Sequence, residues 1–398
     1  MSCYDRGSNM DNQQLYIKEI DDWKGKVSKG SLLEYRIQRL FFAMGYYTKT
    51  GVIIKSGQGA TADVITDLDV YGIYIHKNFT SKRIWADCKS GKAKPLERIS
   101  WIKGIRSTIR IDDIVFVKSG VRTNTKQFAH RSGIMVLDES ILSKLESDYE
   151  VDANDWSGPW NPGTQENMLA QLKAIDKSTR GICSRSSDFI ASAYWSLGEY
   201  ARLKKCITAI RELGDLLQLF QGKREYSILK WAICQLVPMF ALATLNICRE
   251  LYFLNDYEKT LIIDDNLISS EIPIDKRTDI VNATYKIAQG IIEQQYPGVH
   301  FPSLDSSLGL KPPVYYEKFH DLIFRITKNP NQYYDVLRLL DYSLQEYCLC
   351  NTKIDETTLG KRIPNYRNAY IGEKTLLHFI IDICNIPLDF FTPILHNR

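Results

Sequence analysis

The 398-residue chain lacks several features that would assign it to a class at once. Its nine cysteines are scattered and include no C-x-x-C pair, so neither a disulfide framework nor a zinc site is predicted. Reduced thiols in a cytoplasmic protein are expected instead. Residues 1–16 are polar and lack the apolar segment of a secretory signal, which argues against export.

Long apolar runs are equally scarce. The longest, Trp231–Ile247, is short for a bilayer helix and is interrupted by Gln235, Pro238 and Asn246. This run predicts a buried helix of a large helical domain, and no membrane partner is expected.

A strong net charge is also absent, because 51 basic and 47 acidic residues leave a net charge of only +4. The balance is uneven along the chain, however. Residues 1–150 contain 24 basic and 18 acidic residues, and His76–Arg131 contains 14 basic residues against four acidic ones. A positive field concentrated in one segment is typical of a surface that contacts a phosphate backbone.

The composition, 44% apolar and 25% charged, is that of a globular protein, and the length suits two domains. Four segments are predicted: a polar leader over 1–27, an α/β domain over 28–150, a linker over 151–165 and a helical domain over 166–398. The linker assignment rests on the Gly, Pro, Asn and Asp residues of Asp152–Gly163, which interrupt every periodic pattern.

The α/β domain shows helical and strand periodicity in alternation. Its first helix has apolar residues at helical spacing, a possible N-cap at Ser31 and a terminating glycine at Gly45. The predicted order is helix, three strands, helix, strand, helix, strand, the second and third strands forming a hairpin. The strands are assigned to Tyr47–Lys55, Asp69–His76, Arg83–Ser90, Asp113–Lys118 and Ile134–Asp138. Beyond the linker nearly every periodic segment is helical, and Thr260–Ile263 is the clearest strand-like run.

Three residues of the hairpin carry the chemical signal. Side chains alternate along a strand, so Asp69 lies on one face of its strand, and Asp87 and Lys89 lie on one face of the next. Two carboxylates near each other repel unless a positive group lies between them, and Mg²⁺ commonly binds one or two carboxylates together with a substrate phosphate. Lys89 would then orient water or hold developing negative charge.

Further acidic residues are candidates for the same site. Glu34 lies beside the apolar stripe of the first helix and would add a carboxylate, and Gln38 follows one turn later. Asp67 shares the strand face of Asp69 and is a rival for the ligand role, although Asp69 is preferred because it begins the apolar run.

These segments resemble the PD-(D/E)XK nuclease superfamily, and within it the Mrr-type restriction endonuclease group. The likeness covers about Gly30 to Ile141 and rests on GSLLEYRIQRLFFAMGYYTKTGVI, TDLDVYGIYI, WADCKSGKAK, DIVFVKSG and IMVLD. It departs from the family pattern at Leu68, where proline is usual, and in the 18-residue gap between the two aspartates.

The resemblance implies a restriction-endonuclease-like fold (αβββαβαβ) and an endonuclease that requires Mg²⁺, with Mn²⁺ as a possible substitute. It implies Asp69 and Asp87 as metal ligands, Lys89 as the catalytic lysine and Glu34 as an additional catalytic and metal-binding carboxylate. Basic residues after the third strand are predicted to contact nucleic acid: Lys92, Lys94, Arg98 and Lys103.

The expected function is hydrolysis of DNA, by analogy in prokaryotic restriction or phage defence. Two alternatives stay open: a nuclease acting on RNA, for instance tRNA, and a non-cleaving nucleic-acid-binding protein on the same fold. The helical domain is expected to provide recognition, regulation or assembly, as a homo-oligomer or with a partner subunit of a defence system.

Overall fold

The computed structural model describes residues 28–57, 62–151, 162–175, 179–269, 274–298 and 312–396. The predicted leader, 1–27, lies outside the described residues, as do residues 152–161 of the predicted linker. The rest of that linker is not all loop, because a helix begins at Pro162.

The N-terminal part begins with helix α1 (Lys29–Ala43). Its N-cap is Ser28 rather than Ser31, since the Ser28 hydroxyl accepts a hydrogen bond from the Ser31 backbone N–H. Gly45 follows the helix with φ +104°, a conformation that favours glycine, so the predicted terminating role is confirmed.

A mixed five-stranded sheet follows, in which the strands lie side by side in their order along the chain. The first three strands pair antiparallel with one another. The fourth strand pairs parallel with the third, and the fifth pairs parallel with the fourth. The predicted order of elements is confirmed, and a further helix, α4, that was not predicted follows β5 because Asp138 caps it. The elements are β1 (Tyr47–Lys55), β2 (Val64–Ile75), β3 (Ser81–Cys88), α2 (Pro95–Ile109), β4 (Asp113–Val117), α3 (Thr123–Arg131), β5 (Ile134–Leu137) and α4 (Glu139–Asp148).

The two faces of the sheet pack against different parts of the chain. On one face, Val70 and Ile84 lie in an apolar cluster with residues of α1 such as Ile37. On the other, Tyr71 and Trp85 belong to a cluster that continues into the helices beyond residue 162. The sheet and the helical part therefore share a continuous apolar core.

The C-terminal part is mostly helical, as predicted. Thr260–Ile263 is not a strand, because it lies within α9, where Ile263 and Leu267 are buried one turn apart on the same face. The helices are α5 (Pro162–Ala174), α6 (Ile182–Ala191), α7 (Glu199–Leu219), α8 (Arg224–Leu251), α9 (Asp256–Ser269), α10 (Ile274–Gln295), α11 (Tyr316–Lys328), α12 (Val336–Ser343), α13 (Glu356–Arg362), α14 (Tyr366–Cys384) and α15 (Thr392–Leu395). Short 3₁₀ turns lie at Ala193–Ser196, Pro330–Gln332 and Leu388–Phe391, and a π-helical turn lies at Leu344–Cys348.

Helix α8 contains the apolar run Trp231–Ile247. Among the described residues it is the one helix long and apolar enough to cross a bilayer, and 94% of its most apolar window is buried inside the structure. Its neighbours surround it on all sides, so the prediction of a buried core helix is confirmed.

Candidate active site

The two predicted aspartates meet at one end of the β2–β3 hairpin. Tyr71 pairs with Trp85 and Val70 with Ala86 in an antiparallel register. Continuing that register places Asp69 opposite Asp87, on the same face as Tyr71 and Trp85. Both carboxylates are buried. The period-two alternation therefore brings together the residues that the sequence predicted.

Lys89 lies between these carboxylates. Its Nζ is 3.0 Å from Oδ2 of Asp69 and 3.2 Å from Oδ1 of Asp87, and its side chain remains 30% exposed. Burial by itself would lower the pKa of Lys89, but the two carboxylates raise it above its usual value. Lys89 is thus a protonated cation that both aspartates hold in place.

Arg98 of α2 makes the second cationic contact to Asp87. Its Nε and Nη2 donate to the two carboxylate oxygens at 2.9 and 2.5 Å, and its guanidinium lies over the Trp101 ring at 3.7 Å. A bidentate pair of this kind is among the stronger charge-assisted contacts in proteins. Because Asp87 is fully buried, Lys89 and Arg98 together supply the counter-charge that its burial requires.

Asp69 is held less tightly. Its Oδ2 accepts hydrogen bonds from the Cys88 backbone N–H at 2.6 Å and from Lys89. Burial raises the pKa of Asp69, and this effect outweighs the opposite influence of Lys89. Asp69 is therefore a carboxylate whose negative charge is incompletely compensated.

Glu34 of α1 contributes to the same electrostatic environment. Burial, and then the charge of Asp69, raise the pKa of Glu34 to about 7. The nearby Glu166 of α5 raises it further, so the helical part also borders this end of the sheet. Asp67, the rival ligand, is exposed on β2, whereas Gln38 is buried and lines a separate cleft.

The predicted nucleic-acid contacts fall into two groups. Lys92, Lys94 and Lys103 are exposed, and Lys94 forms a surface ion pair with Glu97 at 2.8 Å. Arg98 belongs to the other group, because its guanidinium is committed to Asp87 rather than directed at solvent. A phosphate contact by Arg98 would require that pair to open.

A groove at the carboxyl ends of β3, β4 and β5 brings two lysines that were not predicted, Lys29 and Lys118, together with Lys89. It has a volume of about 290 Å³ and is lined by Lys29, Lys89 and Lys118. Lys118 follows β4 just as Lys89 follows β3, and the two strands run parallel with Cys88 beside Val117. Ligands commonly bind at the carboxyl ends of parallel strands. The sequence feature that could have identified Lys118 is its position directly after a strand, the same position that Lys89 has after the neighbouring parallel strand.

The donor types at this site suit Mg²⁺, which prefers carboxylate oxygens. Among the described residues, however, no group of three or more His, Cys, Asp or Glu side chains is arranged to hold a metal ion. Arg98 engages both oxygens of Asp87, and Lys89 also contacts Oδ1. The residues therefore fit a divalent cation in chemical type, with Arg98 as the group that the cation has to displace.

No family model matches the chain, and neither a curated protein nor a solved structure is significantly similar to it.

Proposed function

We propose that the chain is a Mg²⁺-dependent endonuclease that hydrolyses phosphodiester bonds of DNA, on a restriction-endonuclease-like fold of the Mrr type. The observation that carries the proposal is Lys89, which lies 3.0 and 3.2 Å from two aspartates at the end of a strand and borders a groove lined by further lysines. Cytoplasmic action in prokaryotic restriction or phage defence is the proposed setting, by analogy.

In this proposal Asp69, Asp87 and Glu34 would hold the metal once Arg98 releases Asp87, and the ion would polarise the scissile phosphate and lower the pKa of the attacking water. Lys89 places a positive charge where negative charge develops on the phosphate oxygens. Lys29 and Lys118 would hold the flanking phosphates in the groove beside it.

Where Glu34 does not bind the metal itself, it can act as a proton acceptor. A carboxyl group whose pKa is about 7 is matched to proton transfer near neutral pH, because neither of its forms is strongly disfavoured there. Its place beside Asp69 would let it orient or deprotonate a water molecule next to the phosphate.

One observation favours a non-cleaving, nucleic-acid-binding function instead. Asp87 is fully buried and already paired with both Arg98 and Lys89, so its oxygens are not open to a cation in this arrangement. If that pair never opens, the lysine-lined groove would bind a phosphate backbone without cutting it. Carboxylates and a lysine do not distinguish DNA from RNA, so RNA cleavage is tested alongside.

The decisive experiment incubates the purified chain with supercoiled plasmid, linear duplex, single-stranded DNA and tRNA, with Mg²⁺ or Mn²⁺. Lys89→Met is expected to slow cleavage by about 10²–10³-fold, the usual cost of removing one group that stabilises developing charge. Lys82→Met is the matched control, because Lys82 lies at the opposite end of β3 in a half-exposed ion pair with Asp113.

Cleavage that Lys82→Met retains and Lys89→Met loses would support the proposal. Cleavage of tRNA alone would move the substrate to RNA. Salt-sensitive binding without cleavage of any substrate would favour the non-cleaving function, and equal activity of both variants would show that Lys89 has no catalytic role.

A further inference from the structure

A second cleft opens between the sheet and the helical part. One side is formed by the edge strand β1 and by Gln38 of α1, and the other by helices α5, α6 and α8 and by the π-helical turn after α12. Gly51 at its mouth is exposed, whereas the floor residues Gln235 and Gln345 are buried. The cleft is therefore a pocket with an open end and a closed, polar floor.

The floor of the cleft contains several buried polar atoms that have no hydrogen-bond partner among the described residues. Gln38, Gln235 and Gln345 are each at most 4% exposed and all line the cleft. Within the described part of the chain, Oε1 of Gln38, Nε2 of Gln235 and both amide atoms of Gln345 have no hydrogen-bond partner, and neither has Nε1 of Trp231. A buried polar atom without a partner costs about 1–3 kcal/mol, so several in one place indicate a ligand or ordered water.

The charges on the floor cancel. Nζ of Lys49 donates to Oε1 of Gln235 at 2.7 Å and lies 3.3 Å from Oδ1 of Asp341. An anionic ligand would meet the Asp341 carboxylate and a cationic ligand would meet Lys49, so neither is favoured. The remaining groups are neutral amide dipoles that offer both donors and acceptors. The cleft suits a neutral group with an alternating donor and acceptor edge.

The walls above this floor are apolar. Leu169, Ile190, Met239 and the ring of Trp195 line the cleft together with the glutamines. An apolar slot with a few converging polar groups is the usual construction of a small-ligand site. The cavity volume is about 50 Å³, room for on the order of three water molecules, and the space beyond it is open to solvent. A flat ring would place its hydrogen-bonding edge in this volume with its body towards the open end, between the outer parts of the walls.

The cleft also lies next to the candidate active site. Thr50 of β1 pairs with Val70 of β2, so the neighbouring Gly51 at the mouth lies beside Asp69. On the helical side, Gln165 lines the cleft. The next residue, Glu166, lies close enough to Glu34 for its negative charge to raise the pKa of Glu34. A strand whose backbone lay at the candidate active site would carry its bases past this opening.

We propose that this cleft receives an unpaired nucleobase of the nucleic-acid strand bound at the candidate active site, with the base edge on the glutamine floor and the ring between the apolar walls. The inference rests on the proposed function, since it supplies the recognition element of that site. Glutamine amides read base edges through paired donor and acceptor contacts, and unpaired bases enter protein pockets when they leave the stack.

The test measures binding of single-stranded DNAs of about twelve nucleotides, a length within the usual site size. One strand of each pair carries bases and the other has the same backbone with abasic positions, and binding is measured in EDTA. The whole chain is expected to bind the base-containing strand at least about tenfold more tightly. Gln345→Leu should reduce that ratio towards one, and it should fold because it replaces an unpartnered buried amide by an apolar group of similar size.

Two further variants separate the cleft from the rest of the protein. Ala191→Phe adds a ring to the lining of the cleft, replaces none of its glutamines, and should also reduce the ratio. Gln127→Leu, an exposed glutamine on α3, is the matched control and should leave the ratio unchanged.

Equal affinity of the whole chain for both strands would overturn the inference and leave ordered water as the occupant of the cleft. If Gln345→Leu and Ala191→Phe both keep the wild-type ratio of affinities for the two strands, the bases are recognised elsewhere and the inference is also overturned. Cleavage is scored separately with Mg²⁺: base-dependent binding without cleavage would defeat the proposed function alone, and cleavage without base preference would defeat the inference alone.

Discussion

Lys89 and Lys49 each contact an aspartate on adjoining parts of the same sheet, yet their surroundings differ. Lys89 is 30% exposed, touches two carboxylates and shares one of them with Arg98. Lys49 is 16% exposed and contacts one carboxylate and one amide on the floor of a cleft. Around Lys89, several charged groups compete for the same partners. Around Lys49, by contrast, a single ion pair is surrounded by neutral amides.

The difference separates two kinds of chemistry. Competing charges can be rearranged by an incoming cation or phosphate, because Lys89 contacts two carboxylates and Asp87 contacts two cations. In the cleft, Lys49 is the one cation among the described residues shown to act on Asp341, so this pair maintains the shape of the cleft and leaves the unpartnered amide atoms available to a neutral ligand. The lysine-lined groove and the amide-lined cleft thus suit a backbone and a base, respectively.

The largest expected effect is on the free energy of unfolding when Lys49 is replaced. Lys49→Met leaves Asp341, which is 4% exposed at its side chain, without a cation and should cost about 3–5 kcal/mol in free energy of unfolding. Lys89→Met should cost less, because Asp87 keeps its bidentate contact with Arg98 and Asp69 keeps the hydrogen bond from the Cys88 backbone N–H. Urea denaturation of both variants measures the difference.

The double variant Lys49→Met/Asp341→Leu provides the control, since removing both charges should restore most of the loss. A larger loss of stability in Lys89→Met than in Lys49→Met would contradict the comparison.

A smaller effect is expected at Arg98, which competes with the metal for Asp87. Arg98→Gln removes that positive charge, so the Mg²⁺ concentration for half-maximal cleavage should fall about tenfold, equivalent to about 1.4 kcal/mol in metal binding. Calorimetric titration with Mn²⁺ measures the same change without substrate. Lys144→Gln, an equal change of charge on exposed α4, should not move the midpoint. A midpoint that rises in Arg98→Gln would mean that the guanidinium assists metal binding.

The smallest effect concerns the pH dependence of stability at Glu34. Burial and Asp69 raise the pKa of Glu34 from 4.5 to about 7, so the folded state binds a proton more tightly than the unfolded state. The stability contributed by this proton is complete below pH 4.5 and is lost as the pH rises towards 7. Because solvent screens this partly exposed group, the free energy of unfolding should change by about 1 kcal/mol or less over this pH range.

Glu34→Gln removes this titration. In metal-free buffer the melting temperature of the wild type should therefore fall relative to that of the variant by up to about 1 °C across this range. A constant difference from pH 4.5 to 7 would show that Glu34 is not desolvated in solution.

The prediction succeeded where short-range patterns determine the structure. Asp69 and Asp87 meet because side chains alternate along two strands that a short turn joins into a hairpin. It missed α4, whose start depends on a single capping aspartate, and it assigned Thr260–Ile263 to a strand, where burial of one helix face outweighs the local preference of a short apolar run.

The roles of single charges were harder to predict. The pairing of Arg98 with Asp87 was not predicted, because it depends on how the turn after β3 and the first turn of α2 bring the two side chains together. The contact of Arg98 with nucleic acid stays a prediction. Lys118 was overlooked because its importance depends on the parallel pairing of β3 with β4, which places it next to Lys89.

The sequence by itself determined the order of the N-terminal elements, the helical character of the rest and the juxtaposition of Asp69, Asp87 and Lys89, because each follows from periodicity or from a nearby turn. Only the tertiary structure decided which cation faces Asp87 and that Gln38, Gln235 and Gln345 line one cleft. Those three glutamines come from elements far apart in the chain, and packing of the helices against the sheet, rather than any local pattern, brings them together.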